Sequence, residues 1–254
     1  MNDCKVKLSV FLLVAVTVAL FAPGCSFGPS VGDLASDLKS QDYLVRWDAA
    51  KALGETKDAD AVGPLVDALG DKEDAVAFAA VDSLAKIGGA AVSRLTKRLK
   101  DSSVQVRQLA ALSLGSIGDS APVGALSSVL KSDKVADVRL DAAIALGKIG
   151  IKHALAAKPA SVALNAAKND ANADVKKAVA NALAGIAKAE TDRANKAKAK
   201  KEEQDRLRKK RDEAEQKRKL AAKAKADADA ARKKKADQER DRKRKAELEK
   251  RRAN

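Results

Sequence analysis

Few residue types in this chain could carry out catalysis. The only histidine among its 254 residues is His153, and the only cysteines are Cys4 and Cys25. A lone imidazole cannot supply the paired ligands of a zinc or iron site. The sequence also contains no glycine-rich phosphate loop and no serine elbow. We therefore expect no catalytic residue, no metal site and no cofactor, and we interpret His153 as an ordinary loop or helix-start residue.

The N-terminal segment has the pattern of a secretory signal. Lys5 and Lys7 precede an apolar run from Leu8 to Ala22, which is too short for a membrane span of about 20 apolar residues. We interpret residues 1–24 as a cleaved signal peptide. Its removal takes Cys4 away, so no partner remains for a disulfide with Cys25.

The cleavage site reads Ala22-Pro23-Gly24-Cys25 and resembles a bacterial lipobox, in which the cysteine becomes lipidated. The resemblance implies an exported lipoprotein of the cell envelope, held to a membrane by lipid on Cys25, with residues 25–30 as a linker. Ordinary cleavage without lipid is the alternative, because Ala22 and Pro23 depart from the usual pattern.

A repeated motif organises the middle of the chain. The segment from Val45 to Gly54 is echoed at Val76, Val106, Val138 and Val175, in steps of 31, 30, 32 and 37 residues. A period of this size is typical of a solenoid of helical hairpins. In each unit the residues at motif positions 0, +4 and +8, counted from the valine, form one stripe of a helix that we expect to face inward.

Signals at the helix ends support the hairpins. Side chains three residues before the motif valine can cap the helix, as Asp42, Ser103 and Asn172. Gly118 and Gly150 are interpreted as helix ends, where glycine reaches the left-handed conformation without steric cost.

A second apolar stripe precedes each motif helix, and we expect it to form the first helix of the hairpin. Its residues are Leu34 and Leu38; Leu65 and Leu69; Val92, Leu95 and Leu99; Leu126 and Leu130; and Leu155 and Val162. The prediction is an all-α fold: an α-solenoid of about five hairpins over residues 31–189.

The motif Val-Arg-x-x-Ala-Ala-x-Ala-Leu-Gly-x-Ile-Gly, clearest at residues 106–118 and 138–150, resembles the short HEAT-like repeats of phycobilisome lyases. This resemblance covers most of residues 34–188 and implies scaffolding or protein binding. Bilin attachment, as part of an enzyme subunit of the lyase type, is the alternative that the family implies.

Two rows of side chains recur along the repeats. Arg46, Arg107, Arg139 and Lys176 occupy one motif position. We interpret them as a ladder of ion pairs with acids such as Asp101, Asp133, Asp137 and Asp170, with an anionic partner as the alternative. Positions +2, +3 and +6 carry large apolar residues, which are predicted to bind a protein partner, with packing between helices as the alternative: Trp47, Phe78, Leu109, Leu112, Leu140 and Ile144. For Trp47, the only tryptophan of the chain, we favour partner binding.

The basic character of the chain is confined to a tail, residues 190–254. From Thr191 onwards there are 27 Lys and Arg against 14 Asp and Glu, an excess of 13, whereas the whole chain has an excess of 15. The segment lacks a heptad seam but is rich in helix-forming residues. Opposite charges four residues apart favour a single long helix, with disorder as the alternative; they are Glu202–Arg206, Asp205–Lys209, Glu213–Lys217, Glu239–Lys243 and Glu247–Arg251.

The sequence thus predicts an envelope scaffold that binds a protein partner on its solenoid. Its tail would contact an anionic polymer or anionic lipid. Nucleic acid is disfavoured as a partner, since the tail has no aromatic residue to stack on bases. A solvated spacer is the remaining interpretation of the tail.

Overall fold

A computed structural model describes residues 28–253, and side chains up to residue 249. Its ten α-helices are α1 (Val31–Asp37), α2 (Tyr43–Thr56), α3 (Val62–Ala68), α4 (Asp74–Ile87), α5 (Val92–Arg98), α6 (Val104–Ile117), α7 (Val123–Ser132), α8 (Ala136–Lys152), α9 (Ala154–Ala166) and α10 (Ala173–Ala253). Short 3₁₀ turns, Ala59–Ala61 and Gly88–Ala91, lead into α3 and α5. No strand occurs within the described residues, and the predicted all-α class is confirmed.

The helices form five hairpins in sequence order, each with a short first helix and a longer second helix. The second helices α2, α4, α6 and α8 pack against one another in succession, and the start of α10 is the second helix of the last hairpin. The first helices cover one side of that row. This is the solenoid that the repeat period predicts.

The inward stripe of the second helices is confirmed over most of its length. The leucines at motif position +8, namely Leu53, Leu84, Leu114 and Leu146, are fully buried, as are most residues at +4. Two ends differ. Val45 in the first unit is 39% exposed, and Leu183 in the last unit is only half-buried.

The apolar stripe predicted for the first helix of the last hairpin, α9, is wrong. Leu155 is 93% exposed and Val162 is 64% exposed. Instead α9 packs through Ala156, Ala157, Ala160 and Leu164. Small alanine side chains let this helix approach its neighbours closely, so the larger residues point away from the core.

Small residues set the distance between repeats. A Cβ atom added to Gly115 would lie 2.7 Å from the Cα of Ala145, and one added to Gly147 would lie 2.7 Å from the Cβ of Ala182. Glycine at motif position +9 therefore meets a small residue at +7 of the next repeat. Gly54 meets Ser83 in the same way.

The two glycines predicted to end helices have different roles. Gly118 has φ of +69° and ends α6, as predicted. Gly150 lies inside α8, which continues to Lys152, so that prediction is wrong. A Cβ atom at Gly150 would lie 2.6 Å from Ile186 Cδ1. Glycine is placed there for close helix packing.

The predicted caps are confirmed at three helices. Asp42 accepts a hydrogen bond from the backbone N–H of Leu44 at 2.9 Å. Ser103 accepts one from Val106 at 3.4 Å, and Asn172 accepts one from Asp174 at 2.8 Å. These bonds satisfy backbone donors that the helix itself leaves free.

The segment Asp74–Arg98 has the length and hydropathy of a membrane span. It consists of α4, a 3₁₀ turn and α5, and half of its most apolar window is buried inside the solenoid. Burial in a protein core accounts for this hydropathy.

The chain divides into two compact units, one ending at Ile186 and one formed by residues 187–254. Within the second unit the described side chains up to residue 249 are almost all exposed. The long helix predicted for the tail is confirmed. Of the predicted ion pairs, Glu239–Lys243 forms at 2.9 Å. A further pair that was not predicted, Glu215–Lys219, forms at 2.7 Å.

Three predicted pairs in the tail are absent from the described side chains. Glu202, Asp205 and Glu213 lie beyond 4 Å from their expected partners. The pair Glu247–Arg251 involves a side chain outside the described ones. Since all of these groups are exposed, solvent competes with each pair and the helix retains few of them.

Candidate interaction surface

The row of arginines forms a ladder of ion pairs between repeats. Arg46 Nε donates a hydrogen bond to Asp71 at 2.7 Å. In the same way, Arg107 Nε donates to Asp133 at 2.8 Å, and Arg139 Nε donates to Asp170 at 2.8 Å. In each case Nη2 donates to the second carboxylate oxygen. The ladder interpretation is thus confirmed, with Asp71 as a partner beyond the predicted acids.

Each arginine also holds its own repeat. Nη1 of Arg46, Arg107 and Arg139 donates to two backbone carbonyls of the loop before the helix. The acids in turn accept a backbone N–H two residues further on. One arginine therefore fixes a loop, a helix and the next repeat together.

The second repeat shows how the ladder tolerates a gap. Ala77 occupies the arginine position there, and Asp101 is paired with Arg98 of α5 at 3.0 Å instead. Two other predicted members are not in the ladder: Asp137 and Lys176 make no ion pair within the described residues. Lys176 belongs to the last repeat, and among the described residues no further hairpin follows it.

The ladder lowers the pKa values of the acids that it pairs. Burial alone would raise the pKa of Asp71 and Asp133, but the hydrogen bonds from Arg46 and Arg107 hold both values below the usual range. The hydrogen bond from Arg139 lowers the pKa of Asp170. These carboxylates are therefore ionised at neutral pH and held in place by the arginines.

The predicted partner-binding residues lie on successive second helices. We call the exposed faces of α2, α4, α6 and α8 the second-helix surface. Phe78 is 51% exposed and Ile144 is 37% exposed. Trp47, Leu112 and Leu140 are half-buried against the core. Leu109 is 7% exposed and packs inside the core, so it contributes mainly to packing.

The end of the surface at the first repeat carries more apolar area than motif positions +2, +3 and +6 predict. Tyr43 and Leu44 are exposed at the start of α2, and Lys51 Nζ lies 4.0 Å from the centre of the Trp47 ring. Tyr43 and Leu44 precede the motif valine at positions where most later repeats have alanine, aspartate or glutamine. That contrast between repeats was the available signal.

A hollow of about 360 Å³ opens in this surface between α4, α6 and α8. It is lined by Asp74, Phe78, Gln105, Gln108, Leu109, Leu112 and Asp141. The Gln108 side-chain amide donates to Asp141 at 3.1 Å. Burial raises the pKa of Asp141, the bond from Gln108 opposes this shift, and the nearby charge of Asp137 adds to it.

His153 and Cys25 lie outside the second-helix surface or outside the described residues. His153 connects α8 and α9, where its backbone N–H donates to Ile149 at 2.9 Å. Within residues 28–253 no cluster of three or more His, Cys, Asp or Glu side chains could hold a metal ion. Cys25 lies outside the described residues.

Several solved structures resemble the chain. The complex of CpcE and CpcF of phycocyanin lyase from Nostoc has 24% identity and a TM-score of 0.44, covering 67% of this chain and 70% of that one. Human deoxyhypusine hydroxylase has 18% identity and a TM-score of 0.39, covering 63% and 85%. An engineered protein has 24% identity and a TM-score of 0.42, covering 66% and 86%. No curated protein matches the sequence.

The family model for HEAT repeats matches residues 33–104 and 92–184. These ranges span all five hairpins and include every rung of the arginine ladder. The chain belongs to the HEAT-repeat family.

Proposed function

We propose that the protein is an envelope-anchored scaffold, not a catalyst, and that its second-helix surface binds a protein partner. Lipid on Cys25 would hold it to a membrane, and the basic tail would contact an anionic polymer or anionic lipid. HEAT-type solenoids suit protein interaction. The observation that carries the proposal is the half-exposed apolar row on consecutive helices, which includes Trp47, Phe78, Leu140 and Ile144.

Aromatic side chains favour this interpretation over a purely structural spacer. Trp and Phe are enriched at the centres of protein interfaces, where they bury large areas. In this chain two of the few aromatic residues, Trp47 and Phe78, occupy the same motif position on adjacent repeats. A spacer would gain nothing from leaving the Phe78 ring half in solvent.

Partner capture tests the docking surface. Trp47→Ala combined with Phe78→Ala should lower recovery of bound envelope proteins from extract by at least about tenfold, which corresponds to about 1.4 kcal/mol. The matched control is Leu155→Ala with Val162→Ala, which also removes two exposed apolar side chains but from α9. Unchanged capture by the first variant would favour the spacer interpretation.

Mass spectrometry of the mature protein tests anchoring. We expect an N-terminal Cys25 that carries a diacylglycerol. An N-terminus elsewhere, or an unmodified Cys25, would remove lipid anchoring from the proposal while leaving the docking surface intact.

Vesicle binding tests the tail. A lipid anchor on the protein would insert equally well into vesicles with and without anionic lipid. Any additional binding to the anionic vesicles therefore measures the electrostatic attraction of the tail. We expect that addition to fall strongly between about 0.05 and 0.5 M salt, because screening shortens the reach of surface charges. Equal binding to both vesicle types would mean that the tail does not recognise anionic lipid.

A further inference from the structure

The hollow between α4, α6 and α8 combines apolar and acidic groups. Phe78, Leu109 and Leu112 supply apolar surface, and Asp74 and Asp141 supply two carboxylates. Half of the Phe78 side chain is open to solvent. A ligand entering the hollow would therefore meet an aromatic ring, aliphatic groups and negative charge together.

Asp141 differs from the arginine-paired acids of the repeats. Asp71, Asp133 and Asp170 each receive two hydrogen bonds from an arginine, and Asp101 is paired with Arg98. Asp141 receives only the neutral amide of Gln108, and among the described residues no Lys or Arg lies within ion-pair distance of it.

The missing countercharge leaves the effect of burial on Asp141 unopposed by any cation among the described side chains. Burial raises the pKa of Asp141, in contrast to the lowered pKa values of the arginine-paired acids. A cation supplied from outside would reverse this effect, because a nearby opposite charge favours the ionised carboxylate. Asp74 lines the same hollow and is exposed, so it adds to the attraction.

We propose that this hollow receives an arginine side chain from the protein that docks on the second-helix surface. The inference rests on the proposed function and names the partner chemistry. A guanidinium can donate two parallel hydrogen bonds to Asp141, which a lysine ammonium cannot match in geometry. Its flat face packs on an aromatic ring such as Phe78, and its methylene stem fits against Leu109 and Leu112.

The test uses the full chain and two small probes, one charged and one neutral. N-acetyl-arginine amide and N-acetyl-citrulline amide have nearly the same shape, but citrulline is neutral. In NMR titrations we expect the arginine probe to shift the Phe78 ring and Gln108 amide signals and to saturate. The citrulline probe should bind at least about tenfold more weakly, which corresponds to about 1.4 kcal/mol.

Two substitutions locate the effect. Asp141→Asn keeps the shape of the side chain and should reduce the preference for arginine over citrulline, with Asp74 left as the remaining carboxylate of the hollow. Asp48→Asn is the matched control: Asp48 occupies the same motif position in the first repeat, is exposed, and lies outside the hollow. Equal binding of both probes, no shift at Phe78 and Gln108, or an undiminished preference in Asp141→Asn would each overturn the inference.

This outcome is separable from that of the capture experiment. If Trp47 and Phe78 are needed for capture but the probes show no charge preference, the docking surface stands and the arginine site fails. If the probes bind as expected but capture is unaffected, the hollow binds arginine but does not serve docking.

Discussion

Neighbouring repeats are joined by two kinds of contact: ion pairs, and close packing between small residues. At the turns, Arg107 and Arg139 each bridge their own loop to the acid of the next repeat. In the helices, Gly115 and Gly147 face small residues of the following unit. Both contacts recur along the repeats. A substitution in one repeat therefore tests a type of contact that is present in several.

Removing the charge of Asp133 tests the ladder. Asp133→Asn keeps the acceptor for the Val135 N–H but loses the charged bonds to Arg107. We expect a loss of about 2 kcal/mol in the free energy of unfolding at neutral pH, the range for hydrogen bonds to charged groups. Chemical denaturation measures it, with exposed Asp82→Asn as a control expected to change by less than about 0.5 kcal/mol.

The pH dependence of that loss has a fixed sign. Because the pKa of Asp133 is lowered in the folded state from its ordinary value of 3.8, its contribution is complete above that value and disappears as pH falls through the folded-state pKa. The wild type and Asp133→Asn should therefore converge in stability in acid. A difference that persists unchanged below pH 3 would contradict the ladder.

Asp141 should behave in the opposite way. Its pKa is raised by burial, so ionisation disfavours the folded state, and this destabilisation grows as pH rises from the ordinary value through the folded pKa. Asp141→Asn should stabilise the protein at pH 7 by less than about 1 kcal/mol, because the group is partly solvated. The gain should vanish near pH 3. Thermal melts at both pH values check this.

At the scale of the helix, the sequence predicted the second helices better than the first. Valine, alanine and leucine at fixed spacing recur four times after the first unit, and Leu114 is fully buried as expected. In α9 a pattern of larger residues, Leu155 and Val162, competed with a pattern of alanines, and the alanines form the contact. The size of the apolar side chains predicted the wrong face of α9, because helices that pack closely do so through small side chains.

Leucine truncation separates the two stripes. Leu114→Ala should lose about 2 to 5 kcal/mol, the range for large-to-small changes in a core. Leu155→Ala should change the free energy of unfolding by less than about 0.5 kcal/mol, since Leu155 is exposed. A loss under about 0.5 kcal/mol at Leu114, measured by chemical denaturation, would contradict the stripe.

Glycine replacement separates close packing from helix propensity. Gly115→Ala should destabilise the protein by about 1 to 3 kcal/mol, because the new methyl group meets the backbone of Ala145 and overpacks the contact. Gly124→Ala, in α7, has nothing within 4 Å and should stabilise by about 0.5 to 1 kcal/mol. Thermal or chemical unfolding of both variants checks the opposite signs.

At the scale of the whole molecule, the repeat period determined the solenoid and the charge distribution identified the tail. The hollow was beyond prediction from the sequence, because Asp74, Phe78 and Asp141 come from three helices whose alignment depends on packing between repeats. Motif position predicts the exposure of Phe78 and Leu112, but nothing local to Asp141 indicates that it lacks a cation. That property required knowing which arginines were already paired.

Site-specific photocrosslinking in cells tests the docking surface most directly. A photoreactive phenylalanine analogue at position 78 lies on the second-helix surface, and the same analogue at position 162 is exposed on α9. We predict one discrete crosslinked protein at position 78, none at 162, and competition at 78 by excess unlabelled wild-type protein. Equal crosslinking at both positions, or none at 78, would contradict the account.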